Sequence, residues 1–122
     1  MSFQIMAYIT AAAGFLLAFT WFFAGGKLLN NWGMVPHPDG LFVGRRMGAV
    51  YLGNAIMLIL GASAPASELR TAVCLGLFVS MLLLAVLGLV EMQSERASKS
   101  ILPGVLIEIG LAAGFLLVLY DG

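Results

Sequence analysis

Residues 71–92 read TAVCLGLFVSMLLLAVLGLVEM and contain a single charged side chain, Glu91, close to the end. A helix needs about 20 mostly apolar residues to cross the hydrocarbon core of a bilayer, since each residue adds about 1.5 Å along the axis. Within lipid the backbone must satisfy its own hydrogen bonds, so such a stretch is expected to be helical. The segment therefore predicts a membrane-spanning helix.

Three further stretches have the same character, residues 5–25, 44–64 and 101–120. The 122-residue chain is 61% hydrophobic and 10% charged, with a mean hydropathy of +1.04. A soluble domain of this size needs more charged side chains to cover its surface. We therefore expect an all-α fold, with residues 1–122 forming one domain, a bundle of four transmembrane helices.

The longest connection in this scheme, residues 26–43, reads GKLLNNWGMVPHPDGLFV. It is too apolar for a free loop, and Trp32 favours the headgroup level, so we expect it to lie in the membrane interface. Both prolines of the segment 36–40 oppose a helix, which predicts a turn there. His37, the only histidine, is then an interfacial turn residue, with axial ligation of a pigment as the alternative.

The other connections are short. Ser67 is predicted to cap the start of the third helix, with Glu68 in its first turn. Glu95 and Lys99 stand four residues apart in the favourable order, which predicts that the third helix continues beyond the membrane surface. Pro103 is tolerated near the start of the fourth helix.

Positive charge is concentrated on one side of the predicted bundle. The connections between helices one and two and between helices three and four lie on the same side, and Arg70 is the only lysine or arginine on the other. Cytoplasmic loops are enriched in lysine and arginine, so both termini are predicted to lie on the non-cytoplasmic side. The positive residues on the cytoplasmic side are Lys27, Arg45, Arg46, Arg96 and Lys99.

Glu108 is the most informative polar residue. It lies about 10 Å into the fourth span, where an ionised carboxylate is costly and usually faces the bundle interior beside a partner. It could be a proton or cation site, or an anchor for a polar ligand. It could equally be a protonated or paired side chain that fixes helix packing.

Two other sets of polar residues are candidates for a site. Asn54 lies near the middle of the second span, and Tyr51 shares its face three residues earlier. Both could contact a ligand or form hydrogen bonds between helices. At the cytoplasmic boundary, Arg45 or Arg46 could pair with Glu91 across the bundle, or the arginines could only set topology and contact headgroups.

Small residues recur four apart in two of the helices and allow neighbouring helices to approach closely. On the fourth helix, Glu108 and Gly110 lie about 200° apart around the axis, so they face different neighbours. One face is expected to point into the bundle and the other to be open to another subunit. The small residues are Gly44, Gly48, Ala49, Gly53, Gly110 and Gly114.

Several classes of function are not supported by the sequence. The single cysteine, Cys74, rules out an intrachain disulfide and a cysteine-based zinc site. A formal net charge of 0 gives no basic field for nucleic acid. The sequence contains no Ser-His-Asp set, no metal-ligand cluster and no phosphate-binding loop, so no metal site or catalytic residue is predicted.

The segment Phe22-Phe-Ala-Gly-Gly-Lys-Leu28 resembles the end of the first span of DoxX-like membrane proteins. Gly48-Ala-Val-Tyr-Leu-Gly53 and Leu58-Ile-Leu-Gly61 resemble their second span. This resemblance covers the first half of the chain and implies a four-helix protein of the bacterial inner membrane. It also implies a quinone-linked oxidation role, known for some members, but no catalytic residue is carried over.

Two functions are therefore expected. The first is a non-catalytic accessory or scaffold subunit that packs against itself or other membrane proteins in the bilayer. The alternative is an intramembrane site for a small molecule, a lipid or quinone, or a transported proton, centred on Glu108 with Asn54, Tyr51, Arg46 and Glu91. An enzyme acting on a quinone or lipid rests on the resemblance alone. No cofactor is required by the sequence, and a quinone or pigment stays open.

Overall fold

The computed structural model describes the backbone of residues 2–121, and side chains up to residue 120, as four helices with short connections. A 3₁₀ turn at Lys99–Ile101 precedes the last helix, and no strand occurs in residues 2–121. The predicted all-helical fold with four helices is therefore confirmed. The helices are α1 (Phe3–Asn31), α2 (Pro38–Gly61), α3 (Glu68–Gln93) and α4 (Leu102–Asp121).

Three of the helical segments are long and apolar enough to cross a membrane, namely Phe3–Asn31, Glu68–Gln93 and Lys99–Tyr120. Many of their large apolar side chains are exposed, and such surface is rare on soluble monomers. These features are consistent with a multi-pass membrane protein. Helix α2 has 24 residues and is long enough to cross, but its two arginines and Asn54 leave it less apolar than the others. Its composition alone does not establish a fourth crossing.

Helix α1 extends beyond the predicted span. It kinks at Ala24, where φ is −140° and ψ is 29°, and then continues to Asn31. Gly25 does not end the helix, because it lies buried where Trp21 and Leu41 pack against it. The predicted connection over 26–43 was therefore wrong in extent, and only residues 32–37 separate α1 from α2.

Capping residues define where two of the helices begin. The predicted turn around His37 was wrong, since His37 is the N-cap of α2 and its Nδ1 accepts a hydrogen bond from the Asp39 N–H at 3.4 Å. Pro38 is tolerated because the first helical residue needs no hydrogen-bonded N–H. The predicted cap of α3 is confirmed: the Ser67 hydroxyl oxygen accepts from the Arg70 N–H at 3.1 Å.

Helix α3 ends at Gln93, and the predicted extension through Lys99 was wrong. Glu95 has a φ of 61°, a left-handed conformation that an L-residue does not continue as helix. The chain turns back there, and the Arg96 N–H donates to the Glu91 carbonyl at 2.9 Å. Glu95 and Lys99 therefore do not share a helical face.

The helices form two hairpins, since α1 packs along α2 and α3 packs along α4. The hairpins meet mainly through α1 and α4. A single buried apolar cluster fills the end of the bundle where α1 begins and α4 ends, which we call the termini end. Its members are Phe3, Met6, Ala7, Ala11, Ala55, Leu58, Ala62, Cys74, Leu111, Phe115 and Val118.

The opposite end, which we call the two-loop end, contains residues 32–37 and 94–98. Here the Ser98 N–H donates to the Trp32 carbonyl at 2.7 Å, and the Ser98 hydroxyl donates to the Asn31 carbonyl at 3.4 Å. Gly33 has a φ of +81°, and a Cβ there would lie 2.9 Å from the Ser98 Cβ. The two hairpins are therefore joined at both ends of the bundle.

Two of the predicted packing glycines lie at the α1–α2 contact. A Cβ at Gly44 would overlap the Trp21 ring, and a Cβ at Gly48 would lie 2.8 Å from the Phe22 Cε1 atom and 3.1 Å from the Ala18 carbonyl oxygen. The absence of a side chain at both positions lets α2 approach α1 closely.

The two glycines of the GxxxG motif in α4 have different environments. Gly114 is buried, and the Met6 side chain of α1 packs against it, as expected for a packing glycine. Gly110 faces open space, and so does Gly53 on α2. These two glycines therefore lie on the outer surface, and their predicted role in helix packing stays a prediction for contacts with another subunit.

We predict that Gly44→Ala lowers the free energy of unfolding in detergent by about 1–3 kcal/mol, because the added methyl group overpacks the contact with Trp21. Gly53→Ala is the matched control on the same helix, since it adds the same methyl group in open space. Gly53→Ala also measures how much alanine stabilises α2 through its higher helix propensity, without any overpacking. Equal stabilities of the two variants would contradict the observed α1–α2 contact.

Candidate functional site

Glu108 lies half-buried on α4, between the two ends of the bundle. Gly114 marks the level of Met6, and Glu108 is six residues closer to the two-loop end, about 9 Å along the axis. This places Glu108 roughly level with Ala12 of α1. Its carboxyl group makes no hydrogen bond or ion pair with any of residues 2–120.

Tyr51 and Asn54 are half-buried on α2. Helices α1 and α2 approach closely beside them, because a Cβ at Gly14 would lie 3.3 Å from both the Tyr51 carbonyl oxygen and the Ala55 Cβ. Within the described residues the backbones of α2 and α4 do not pack along each other. Tyr51 and Glu108 therefore lie at a similar level of the bundle, on helices of different hairpins.

Thr10 is a fourth polar residue at this level, and sequence reasoning missed it. The residue is 5% exposed, and its hydroxyl oxygen is buried without a hydrogen-bond partner in the part of the chain that is described. On α1, Thr10 is one turn from Met6, which contacts α4, and one turn from Gly14, which contacts α2. The Thr10 side chain therefore lies on the face of α1 between these two neighbours.

An orphaned hydroxyl is unusual, because leaving a buried polar group unsatisfied costs about 1–3 kcal/mol. Thr20 of the same helix follows the usual pattern, since its hydroxyl donates to the Leu16 carbonyl at 2.7 Å. The one signal in the sequence was that Thr10 opens the run TAAAG, the small-residue stretch in the middle of α1.

We refer to Thr10, Tyr51, Asn54 and Glu108 as the polar cluster. Its side chains offer carboxylate oxygens, two hydroxyl groups and an amide, which together can accept and donate hydrogen bonds. Apolar helix surfaces surround them, so a ligand there would find few competing water molecules. Among the described residues, no three His, Cys, Asp or Glu side chains group as metal ligands. The cluster is therefore suited to a hydrogen-bonding ligand or a proton.

Of the two alternatives for Arg45, Arg46 and Glu91, the ion pair across the bundle does not occur among the described residues. Arg45 and Arg46 are both exposed, and the Arg46 guanidinium lies over the Phe42 ring of its own helix, 5.7 Å from the ring centroid. Glu91 instead pairs with Arg96, with the guanidinium Nε 2.5 Å from the Glu91 Oε2. The turn after α3 brings Arg96 back beside Glu91, so Glu91 pairs with an arginine five residues along the chain.

Neither residue of the Glu91–Arg96 pair belongs to the polar cluster. Both side chains are exposed, so solvent screens their attraction. The hydrogen bond from Arg96 to Glu91 raises the pKa of the guanidinium further above its usual value. Arg46 and Glu91 were expected to help form the site, but they lie on the surface toward the two-loop end.

The two residues predicted to be interfacial also lie at the two-loop end. Trp32 caps α1 and packs edge-on against Trp21, with ring centroids 6.0 Å apart. The His37 side chain is exposed, and its Nδ1 lies 3.6 Å from the Asp39 carboxylate. His37 thus caps a helix and stands outside the polar cluster.

No family model matches the sequence, and no characterised protein or solved structure is significantly similar to it. The resemblance to DoxX-like proteins therefore stays a prediction.

We predict that cysteines replacing Tyr51 and Glu108 are joined by a short bifunctional thiol reagent, because both residues lie half-buried at a similar level of the bundle. The background is Cys74→Ala, which removes the buried native thiol. The matched control pairs Tyr51→Cys with Ile107→Cys, since Ile107 is 58% exposed on the outer surface of α4. Cross-linking measured by gel mobility should occur only in the first pair, and equal yields would contradict the arrangement.

Proposed function

We propose that the chain is a four-span membrane protein that binds a small molecule or a proton at the polar cluster, with Glu108 as the anchoring group. The observation that carries this proposal is that Glu108 and Thr10 lack hydrogen-bond partners among residues 2–120. Unpaired polar groups in an apolar medium are costly, and intramembrane carboxylates commonly belong to ligand or proton sites. A ligand that supplies the missing partners removes this cost.

The proposal includes α2 as a fourth crossing. Its 24 residues extend about 36 Å, enough for a hydrocarbon core of roughly 30 Å. Arg45 and Arg46 lie toward the two-loop end, where long side chains can reach the headgroups. Five of the six lysine and arginine residues belong to that end and only Arg70 to the other, which supports termini on the non-cytoplasmic side. The DoxX-like resemblance supports the bacterial inner membrane.

The chemistry of the cluster restricts the ligand. A carboxylate attracts a proton, a protonated amine or another hydrogen-bond donor, and the Tyr51 and Thr10 hydroxyls can donate to a carbonyl oxygen. A quinone or a lipid with a polar head can provide such groups and can also reach the gap between α2 and α4 from the bilayer. Proton-coupled transport uses the same carboxyl group, since Glu108 can alternate between protonated and ionised forms.

A second candidate is the accessory or scaffold subunit expected from the sequence. One observation favours it: Gly53, Gly76 and Gly110 have open space above their Cα atoms, on three different helices. Such positions permit close approach of another membrane helix. The partner would be a second copy of the chain or another membrane subunit, and neither candidate requires catalysis.

We predict that Glu108→Gln releases a ligand that co-purifies with the wild-type protein. The proteins are extracted from native membranes in polymer discs, and the bound small molecules and proteins are identified by mass spectrometry. Loss of the carboxylate should reduce retention of the ligand about tenfold or more, because it removes a charge-assisted hydrogen bond. Glu91→Gln is the control, since it removes a carboxylate outside the cluster.

Equal retention of every small molecule by the wild-type protein and both variants would contradict the Glu108 site. A fixed set of partner proteins in all three samples, with no retained ligand, would instead support the accessory subunit.

A further inference from the structure

A separate pocket at the termini end contains an arginine and three uncharged hydrogen-bonding residues. It is an open depression at the surface, with a volume of about 340 Å³. Ser2 and Gln4 at the start of α1, Ser63 after α2 and Arg70 in the first turns of α3 line it. Three chain segments thus converge on one polar space, which shares no residue with the polar cluster.

Arg70 is held in place by two contacts. Its Nη1 donates to the Ala64 carbonyl at 3.0 Å, and its guanidinium carbon lies 4.9 Å from the centroid of the Phe3 ring. A guanidinium carries five N–H groups, so this hydrogen bond leaves several of them unused. An arginine fixed in this way is pre-organised for a ligand with several acceptor oxygens.

The neighbouring polar groups also have protons to donate. The Ser63 hydroxyl oxygen accepts from the Gln4 amide at 3.2 Å, and the Ser2 hydroxyl oxygen accepts from the Ile5 N–H at 3.5 Å. Each hydroxyl therefore keeps its own proton free, and the Gln4 amide keeps a second one. Glu68, the nearest acidic residue in sequence, is exposed and does not line the pocket.

We propose that this pocket binds a phosphate group, which we call the Arg70 site. A fixed guanidinium with three further donors, and no carboxylate among the described lining residues, selects an anion with several acceptor oxygens. Arg70 directly precedes the apolar residues of α3, so it stands where that helix would leave the hydrocarbon core. The phosphate of a phospholipid headgroup and free inorganic phosphate have the same recognisable chemistry.

Two probes distinguish these sources in delipidated protein held in a mild uncharged detergent. Inorganic phosphate and a short-chain phosphatidylglycerol are titrated separately, and binding is measured by thermal shift and by native mass spectrometry. Diacylglycerol of the same chain length is the control ligand, because it lacks the phosphate. Binding of phosphatidylglycerol alone assigns a lipid headgroup, and binding of inorganic phosphate as well assigns a site for free phosphate.

Substitutions test whether Arg70 carries the binding. Arg70→Gln should weaken binding about tenfold or more, and Ser63→Ala about threefold, because each removes a donor to the phosphate. Arg45→Gln, which removes an exposed arginine at the other end of the bundle, should leave binding unchanged. If Arg70→Gln does not fold, Ser63→Ala decides, since it leaves the arginine contacts intact.

Three results would overturn the Arg70 site. Diacylglycerol could bind as tightly as phosphatidylglycerol, neither probe could bind, or Ser63→Ala could bind the phosphate probe as tightly as Arg45→Gln. A failure of Glu108→Gln to release a ligand would leave the Arg70 site unaffected, because the two sites share no residue.

Discussion

The close contact between α1 and α2 is the constraint on which the rest of the structure depends. Helices within a bilayer are already out of water, so the hydrophobic effect does not drive them together. Their association relies on van der Waals packing, which small residues permit. Glycines provide this at three points of the contact, and the Trp21 ring occupies the space where a side chain at Gly44 would lie. The contact holds α2, the least apolar of the four helices, beside α1. The glycines are Gly14, Gly44 and Gly48.

The arrangement of the hairpins follows from that contact. Helix α2 packs on α1, α4 reaches α1 from the other hairpin, and α2 and α4 stay apart along their length. The apolar cluster at the termini end and the Ser98 hydrogen bonds at the two-loop end join the hairpins. Between these ends, Tyr51 and Glu108 lie at a similar level on different hairpins, and the orphaned Thr10 hydroxyl is buried on α1 near that level. The polar groups that the helices do not satisfy are thus gathered at one level.

The four helices could be predicted from the sequence because long apolar runs allow little else in lipid. Their ends were harder to predict, since glycine and proline have opposite effects in different positions. Gly25 was expected to end α1, but it serves as a packing surface, and Pro38 was expected to block a helix that it in fact begins. Sequence rules for glycine and proline consider only nearby residues in the chain, whereas the role of such a residue depends on which other helix packs against it.

The candidate site was predicted in part. Glu108, Tyr51 and Asn54 could be found because polar side chains stand out in apolar helices. Thr10 could not, because a threonine usually satisfies its hydroxyl within its own helix, as Thr20 does. The partner of Glu91 depended on the left-handed turn at Glu95. That turn could not be predicted, because glycine, the usual residue in this conformation, is absent there. Which helices form hairpin contacts, and hence which polar groups meet, is a tertiary property that hydropathy does not encode.

We propose that α2 crosses the membrane against α1 and so brings its polar residues into the bundle. The most direct measurement is labelling of single cysteines in intact cells with a membrane-impermeant maleimide, in a Cys74→Ala background. Val35→Cys probes the exposed α1–α2 connection, and Ala66→Cys probes the exposed α2–α3 turn. We expect Ala66→Cys to be labelled from outside and Val35→Cys only after lysis. Labelling of both from the same side would contradict it, because α2 would then not cross.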